Sequence, residues 1–413
     1  MSMQGKRVVI TGAGAISPLG NDWTGVQAHL RSCRNAVQRI DAWDIYDGLN
    51  TKLAAPAVDF ELPAHYNRKT TRSMGRVALM AVRASELALI DAGLLGDPLL
   101  TSGRVGVSNG SSAGTHAAMG DFGRMLNEHT TAGINATTYI KMMSHTAPVN
   151  IGVFFGLTGR VITTSSACTS GSMGIGSAYE VVRAGKQVAM LAGGSEQLDA
   201  TASAVFDTLF ATSVRNDEPE LTPRPFDANR DGLVLGEGAC TLLVEELEHA
   251  QARGARILAE IVGFGTNSDG AHVTQPSADT MAQAMRLALE DAGLPPEAIG
   301  YVNAHGTATD HGDIAESKAT AAVFGARMPF SSLKSYMGHT LGACGALEAW
   351  MSVEMQRNDW FAPTLNLEQL DPRCAELDFI TGQGRALQVD YVMSNNFAFG
   401  GINTSLIFRR WQD

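Results

Sequence analysis

One cysteine and two histidines of the sequence stand on short turns built from small residues, where their side chains can meet a substrate. Cys168 lies in S-S-A-C-T-S-G, His305 in N-A-H-G-T and His339 in M-G-H-T-L-G. A thiol assisted by imidazole groups is the side-chain set of nucleophilic catalysis through a covalent intermediate. These three residues therefore predict an active site whose nucleophile is the sulfur of Cys168.

The elements around Cys168 place it at a sharp turn between a strand and a helix. The β-branched run 161–164 predicts a buried strand. Thr169 or Ser170 is predicted to cap the following helix, which runs to about Ala184, with Gly185 at its C-terminal cap. The free N–H groups and the positive dipole end of a helix N-terminus favour a thiolate. We therefore expect a lowered pKa for Cys168.

The composition is that of an ordinary globular protein and argues against several classes of partner. The chain has 413 residues, of which 45% are hydrophobic and 18% charged, enough for two cores. Its net charge of −11 is unfavourable for binding a phosphate backbone. The first residues, M-S-M-Q-G-K-R, have no apolar core of a signal peptide, and no run approaches the roughly 18 apolar residues of a membrane span. We expect a cytoplasmic protein that binds neither nucleic acid nor membrane.

The five cysteines are widely spaced and form no C-x-x-C pair. Neither a disulfide framework nor a zinc site is therefore predicted. Besides Cys168, we expect the other four cysteines to be structural, namely Cys33, Cys240, Cys344 and Cys374.

The chain repeats one α/β pattern. The segments A-L-I-D-A-G-L and A-L-E-D-A-G-L end two predicted helices, 67–93 and 280–293, and each precedes a strand and a glycine turn. The Cys168 turn corresponds to the His339 region in this repeat. The pattern predicts an N-terminal half, 1–250, with the cysteine, and a C-terminal half, 251–413, with both histidines.

Four motifs in order resemble the elongating β-ketoacyl-acyl-carrier-protein synthases: C-T-S-G, N-A-H-G-T, L-K-S-x-x-G-H and N-x-F-x-F-G-G-x-N. The resemblance runs nearly end to end. It implies a thiolase-like fold, a duplicated α-β-α-β-α layered α/β architecture whose halves meet at one site. It also implies a homodimer without cofactor that condenses an acyl group held on a cysteine with malonyl-acyl carrier protein.

The resemblance also assigns roles to residues. Cys168 attacks the acyl thioester, and the N–H groups of Cys168 and Phe399 hold the oxyanion, while His305 and His339 stabilise the enolate left by decarboxylation. Lys334 orients His339 or fixes local charge. Several further side chains are implied at the substrate: Glu316, the acidic partner of that lysine; Thr307 and Thr309, for pantetheine; Phe397 and the gating Phe399; and Ser112, at the bottom of the acyl pocket.

Two further predictions concern a cation site and a docking surface. The family's structural monovalent cation matches the positions of Asn303, Glu348, Ser394 and Asn395. Arg68, Arg72 and Arg76 share one helix face at i, i+4 and i+8, with Lys69 beside them, so this basic stripe predicts docking of an acidic carrier protein. Phe210 stands where some relatives have another docking arginine.

Three other interpretations remain open at this point. A thiolase or starter-unit synthase of the same fold has a second catalytic cysteine or an asparagine in place of one histidine, and His339 disfavours both. A non-catalytic chain-length partner lacks the nucleophile, which Cys168 disfavours. A ketosynthase of a specialised polyene pathway has the same motifs, so primary fatty acid synthesis and specialised synthesis are not separated, nor is the acyl chain length defined.

Overall fold

The computed structural model describes residues 5–412, which form sixteen strands and thirteen α-helices. The strands are β1 Val8–Ile16, β2 Gln38–Arg39, β3 Leu53–Ala55, β4 Val105–Gly110, β5 Val161–Thr163, β6 Ala189–Glu196, β7 Leu235–Gly236, β8 Gly238–Glu246, β9 Ala259–Ser268, β10 Ile299–Asn303, β11 Pro329–Ser331, β12 Trp360–Phe361, β13 Asp378–Phe379, β14 Arg385–Ala386, β15 Tyr391–Ala398 and β16 Ile402–Arg410. The helices are α1 Trp23–Arg31, α2 Arg68–Thr71, α3 Arg76–Asp91, α4 His116–Glu128, α5 Ala136–Met142, α6 Thr146–Phe155, α7 Ser170–Arg183, α8 Ala200–Asp207, α9 Leu247–Ala252, α10 Ala278–Ala292, α11 Asp310–Phe324, α12 Lys334–Met337 and α13 Cys344–Arg357.

Eleven strands form one sheet in the order β13-β11-β10-β15-β16-β9-β1-β8-β6-β4-β5. In its N-terminal set β1, β8 and β6 are antiparallel neighbours, and β6, β4 and β5 run parallel. The C-terminal set repeats this: β9, β16 and β15 are antiparallel, and β15, β10 and β11 run parallel. Strands β1 and β9 join the two sets. The shared order and directions confirm the predicted duplication, while the boundary at residue 250 stays a prediction.

Close helix–strand packing repeats along with the strands. A Cβ on Gly14 of β1 would lie 2.2 Å from the carbonyl oxygen of Ala84 on α3, and a Cβ on Gly265 of β9 would lie 2.1 Å from that of Ala284 on α10. Glycine therefore lets each helix rest directly on its strand. The two A-L-x-D-A-G-L segments end these two helices.

Helices α7 and α13 pack against each other between the two sets of strands. Helix α13 is buried on all sides from Cys344 to Gln356, as expected for a helix without a solvent face. Helix α3 covers the outer face of the N-terminal set, and α10 and α11 cover the C-terminal set. These layers form the thiolase-like α-β-α-β-α fold. The first turns of α7 and α13 meet in the middle, where the site lies.

Three local predictions are wrong. Strand β5 is the edge of the sheet and is exposed, with Val161 51% exposed, rather than buried. Helix α7 has no side-chain cap at Thr169, because the chain enters it from a 3₁₀ turn at Ala167–Thr169. The predicted helix 67–93 is interrupted, and α3 restarts after the extended residue Gly75.

Candidate active site

Cys168, the predicted nucleophile, lies on a strained turn at the start of a buried helix. Ala167 has φ of 51°, a left-handed conformation that is costly for a residue with a side chain. The turn directs Cys168, which is 5% exposed, into the space between the two sets of strands. The neighbouring turn before α13, at Leu341–Ala343, comes from the other half of the fold and faces it.

His339 contacts the nucleophile directly, with Nε2 3.0 Å from Cys168 Sγ. Its other nitrogen, Nδ1, accepts a hydrogen bond from the backbone N–H of Leu341 at 3.3 Å. A neutral imidazole whose Nδ1 accepts must carry its proton on Nε2. His339 therefore donates Nε2–H toward the sulfur.

His305 is held in the same tautomer by different groups. Its Nδ1 lies 3.1 Å from Lys334 Nζ and 3.4 Å from Asn396 Nδ2, which both carry protons. The His305 and His339 rings are 5.1 Å apart and nearly perpendicular. Since Nδ1 faces two donors, the His305 proton also lies on Nε2. Two imidazole N–H donors are thus available near Cys168.

Lys334 and Glu316 differ from their expected pairing. Lys334 Nζ is 2.5 Å from Glu348 Oε1, and it contacts His305 rather than His339. The carboxylate of Glu316 instead accepts the backbone N–H groups of His305 at 2.7 Å and Gly306 at 2.6 Å. Glu348 is therefore the lysine's partner, and Glu316 fixes the turn that carries His305.

Burial dominates the electrostatics of the thiol. It raises the pKa of Cys168 to about 12, against the lowering effects of the Lys334 charge and of the N–H groups of Phe399 and Cys168. Burial, followed by the Lys334 charge, also holds the pKa values of His305 and His339 well below the usual value. The expected lowering of the cysteine pKa is wrong, because the desolvation of the sulfur outweighs the helix terminus. The resting site holds a thiol and two neutral imidazoles.

Ligand atoms of Cys168, His305 and His339 lie within 4.8 Å of one another, a set that has the chemistry of a zinc site. A histidine that binds a metal through Nε2 donates its Nδ1–H to an acceptor. Here both Nδ1 atoms face donors instead. The set therefore does not fit a metal ion.

The predicted cation residues are brought together where the end of β10 pairs with the middle of β15. Asn303 Nδ2 donates to Ser394 Oγ at 3.2 Å. Within residues 5–412, Asn303 Oδ1 and the side-chain amide of Asn395 are buried without a hydrogen-bond partner. Glu348, in contrast, is already engaged by Lys334 and Asn396. The neutral oxygens fit a weakly held monovalent cation, whereas the carboxylate does not.

A cavity of about 590 Å³ reaches Cys168 and His305. Its lining includes most of the predicted substrate residues, namely Thr307, Thr309, Glu316, Phe397 and Phe399. The Phe399 ring packs on Phe206, 5.2 Å between centroids. Phe206 was not predicted, since an aromatic residue in an amphipathic helix has no sequence signal beyond core packing.

Ser112 lies apart from this cavity. It lines a second cavity of about 480 Å³ with Met119, Met142 and His145 among others. Both its backbone N–H, at 2.9 Å, and its hydroxyl donate to Glu196. Glu196 also accepts the N–H of Gly342 at 3.0 Å, and burial raises its pKa to about 7. The sequence did not indicate this buried carboxyl group.

The basic stripe is divided by the break between α2 and α3. Arg68, Lys69 and Arg72 are exposed. Arg76 is instead bound through two nitrogens to Glu237, at 2.9 and 2.6 Å. The guanidinium is thus already paired within the protein while its side chain stays 40% exposed, and its docking role stays a prediction.

Comparison with known proteins agrees with this fold and site. Residues 5–250 match the description "Beta-ketoacyl synthase, N-terminal domain", and residues 258–368 match "Beta-ketoacyl synthase, C-terminal domain". The chain therefore belongs to the β-ketoacyl synthase family, which are acyl-transferring condensing enzymes. Among relatives, "3-oxoacyl-[acyl-carrier-protein] synthase 2" of Synechocystis is 37% identical over all of both chains, and "3-oxoacyl-[acyl-carrier-protein] synthase 1" of Haemophilus influenzae is 36% identical over 98% of this chain and 99% of the relative.

Two solved structures extend the comparison. A β-ketoacyl synthase from Burkholderia phymatum is 62% identical with a TM-score of 0.98, covering 98% of this chain and 100% of that one. The ishigamide ketosynthase/chain length factor is 31% identical with a TM-score of 0.89, covering 99% and 100%. As for membranes, no helix within residues 5–412 combines the length and apolar character needed to cross one.

Proposed function

We propose that the protein is an elongating 3-oxoacyl-[acyl-carrier-protein] synthase of fatty acid synthesis, with Cys168 as its nucleophile. The observation that carries the proposal is the meeting of Cys168 Sγ with two imidazoles whose Nδ1 atoms both face donors. That arrangement supplies two neutral N–H donors beside a thiol. It suits a reaction in which negative charge develops on a substrate oxygen.

The first half-reaction transfers the acyl group to the cysteine. Cys168 Sγ attacks the carbonyl carbon of an acyl carrier thioester, whose C–S bond then breaks, and the thiol proton ends on the released carrier thiol. Donation from His339 Nε2–H and the N–H groups of Phe399 and Cys168 stabilises the sulfur as its charge rises. Once the sulfur is bonded to carbon, the backbone N–H groups of Phe399 and Cys168 hold the oxyanion of the tetrahedral intermediate.

The second half-reaction forms the carbon–carbon bond. Malonyl carrier loses CO₂, and its thioester oxygen accepts the Nε2–H groups of His305 and His339 as it becomes an enolate. The enolate carbon attacks the acyl carbonyl on Cys168, and the sulfur leaves as a thiolate to give 3-oxoacyl carrier. A proton from solvent then restores the Cys168 thiol. No carboxylate base is required, because decarboxylation supplies the electron pair.

Substrates are proposed to approach from two sides. Thr307 and Thr309, 2.9 Å apart through their hydroxyls, present polar groups to a pantetheine arm in the 590 Å³ cavity. The second cavity, beside Ser112, takes the acyl chain. Exposed Arg68, Lys69 and Arg72 dock an acidic carrier protein.

We further propose a homodimer that works in the cytoplasm. Strand β5 leaves a free sheet edge, and Val161 on it and Tyr139 on α5 are exposed apolar side chains, so two copies can pair edge to edge. All five cysteines are free, which is typical of proteins in a reducing compartment. Asn303, Ser394 and Asn395 would hold a monovalent cation that supports the strand ends and takes part in no step.

A second candidate function is chain extension in a polyketide-type pathway. Its support is the similarity to the ishigamide ketosynthase/chain length factor, and to a ketosynthase solved with a type II polyketide acyl carrier protein, which is 28% identical with a TM-score of 0.87. Fatty acid and polyketide extension share the same chemistry. The acyl groups that Cys168 accepts distinguish them.

Intact-protein mass spectrometry tests the proposed function. Wild-type protein given acyl carriers of a graded series should gain one acyl mass, and Cys168→Ala should gain none. His305→Ala should gain the acyl mass and then retain it when malonyl carrier is added. Loss of acylation in His305→Ala would contradict the assigned roles, and the preferred acyl group separates the two pathways.

A further inference from the structure

Asn396, near the end of β15, is a buried residue at the site that the reaction as described does not use. Its Nδ2 lies 2.7 Å from Glu348 Oε2, 3.4 Å from His305 Nδ1 and 3.6 Å from Cys344 Sγ. Cys344 in turn donates its S–H to the carbonyl oxygen of Cys168 at 3.2 Å. The Asn396 side chain therefore contacts His305 directly and contacts the Cys168 backbone through Cys344.

The orientation of this amide is fixed. Glu348 Oε2 is an acceptor, so only the NH₂ end of Asn396 can face it. The other end, Oδ1, packs on Gly345, where a Cβ would come within 2.7 Å. The backbone oxygen of Asn396 accepts a hydrogen bond from Thr404 Oγ1 at 3.2 Å, and Thr404 Oγ1 is 2.7 Å from Ser172 Oγ on α7. These hydrogen bonds connect β15 at Asn396, through Thr404, to helix α7.

Lys334 divides its N–H donors between His305 and Glu348. Its Nζ is closer to Glu348, at 2.5 Å, than to His305, at 3.1 Å. Without Asn396, Nδ1 keeps one donor, the Lys334 ammonium, which Glu348 also attracts, and the Nε2–H tautomer loses part of its support. Asn396 adds a second donor at Nδ1, and its NH₂ also engages Glu348 Oε2.

We infer that Asn396 is a positioning residue that, together with Lys334, holds His305 in the Nε2–H tautomer needed for the condensation step. This inference rests on the proposed function. It predicts that loss of the amide slows enolate formation and spares acyl transfer to Cys168, which uses His339 and the backbone N–H groups.

Replacing Asn396 tests this role. Asn396→Ser should lower kcat for condensation by about tenfold, with KM and single-turnover acylation of Cys168 within about twofold. Asn396→Asp should also lower kcat, since it removes the NH₂ donor from Nδ1 and sets a second carboxyl group against buried Glu348. Ser405→Ala, which removes a hydroxyl without a hydrogen-bond partner from the neighbouring strand, is the matched control and should retain the wild-type rate.

The tautomer of His305 can also be measured directly, first in the wild-type protein and then in the variant. In wild-type protein labelled with ¹⁵N-histidine, the imidazole shifts of His305 should report Nε2–H, and Asn396→Ser should show a larger Nδ1–H fraction. An Nδ1–H form in the wild type, wild-type condensation in Asn396→Ser, or equal loss of both half-reactions would overturn the inference. Failure of the proposed function would appear instead as a wild-type protein that forms no acyl-enzyme, whatever its tautomer.

Discussion

The two 3₁₀ turns that meet at the site have the same structure but present different residues. Ala167–Thr169 precedes α7 and Leu341–Ala343 precedes α13, and each turn opens on a left-handed residue, Ala167 with φ of 51° and Leu341 with φ of 45°. The middle residue is Cys168 in the first turn and Gly342 in the second. One copy presents the nucleophile, while the other has no side chain at the equivalent position.

The absence of a side chain at Gly342 allows close packing. A Cβ on Gly342 would lie 2.8 Å from Ser111 Cα and 2.9 Å from Ser112 N, so the turn packs directly on backbone. This approach lets Glu196 accept the Gly342 N–H, while the adjacent Leu341 N–H fixes His339. Duplication thus produced one turn for covalent chemistry and a second one that orients the imidazole opposite.

The largest expected effect concerns the thiol of the first turn. With a pKa of about 12, Cys168 should react with iodoacetamide slowly at pH 7 and about tenfold faster for each pH unit, or about 100-fold faster by pH 9. Alkylation located by peptide mass spectrometry gives the profile. A rate that is already at its plateau at pH 7 would mean that the helix terminus outweighs burial.

Some features of the site could be predicted from the sequence and others could not. The meeting of Cys168 with both histidines and the duplication were predictable, because motif spacing and repeated segments are local properties. The lysine's partner was not, since Glu316 and Glu348 both follow glycine turns and only packing places Glu348 against Lys334. The sign of the cysteine pKa shift depends on how much protein surrounds the sulfur, which no spacing records.

The broken basic helix has a similar cause. A Cβ at Gly75 would lie 1.7 Å from Thr115 Oγ1, so contact with a distant segment determines the extended backbone there. Sequence periodicity carries through 67–93 without showing this contact. Long-range packing, rather than propensity, moved Arg76 away from Arg72 and toward Glu237.

Adding a methyl group to the second turn should have the next largest effect. Gly342→Ala pushes against the backbone at Ser111 and should cost about 1–3 kcal/mol of unfolding free energy, measured by denaturant titration. Gly120→Ala, on an exposed helix with open space at its Cβ, is the control and should be stabilising by about 0.4–1 kcal/mol. Equal midpoints for the two variants would show that the turn tolerates a side chain.

Each half also holds a turn with a buried carboxyl group, and the two differ in pKa. Burial raises the pKa of Glu316 to about 8 and that of Glu196 to about 7. Above the ordinary value near 4.5, the folded state keeps protons that the unfolded chain releases, so stability falls as pH rises through these windows.

Glutamine variants separate the two carboxyl groups. Glu316→Gln should flatten the decline of stability up to about pH 8, and Glu196→Gln only up to about pH 7, by at most about 1.4 kcal/mol per pH unit each. Unfolding free energies measured from pH 5 to 8.5 provide the slopes. The slope of unfolding free energy against pH is compared, rather than its absolute value. Either glutamine variant is expected to lower stability at every pH, because the amide does not match the hydrogen bonds of the carboxyl group. Unchanged slopes would mean that both groups are ionised when folded.

A smaller effect is expected in the second cavity. Ser112→Phe fills space there, and each methylene it excludes removes about 0.8 kcal/mol of burial, about fourfold in preference. Acyl-enzyme masses from competing chain lengths should shift toward short chains. Ser112→Ala loses the same hydroxyl contact to Glu196 but keeps the space, so a matching shift in that variant would place the acyl chain elsewhere.

The smallest expected effect compares two arginines on either side of the helix break. Arg72 is exposed, so Arg72→Glu should raise KM for carrier-bound substrate by about fivefold and leave a small pantetheine thioester unaffected. Arg76→Glu removes the partner of buried Glu237 and adds a like charge, so it should lower the melting temperature instead. Steady-state kinetics with both substrates and a thermal melt distinguish the outcomes. If Arg72→Glu slows both substrates equally, the exposed arginine acts on the site rather than on docking, and the carrier protein binds at another face.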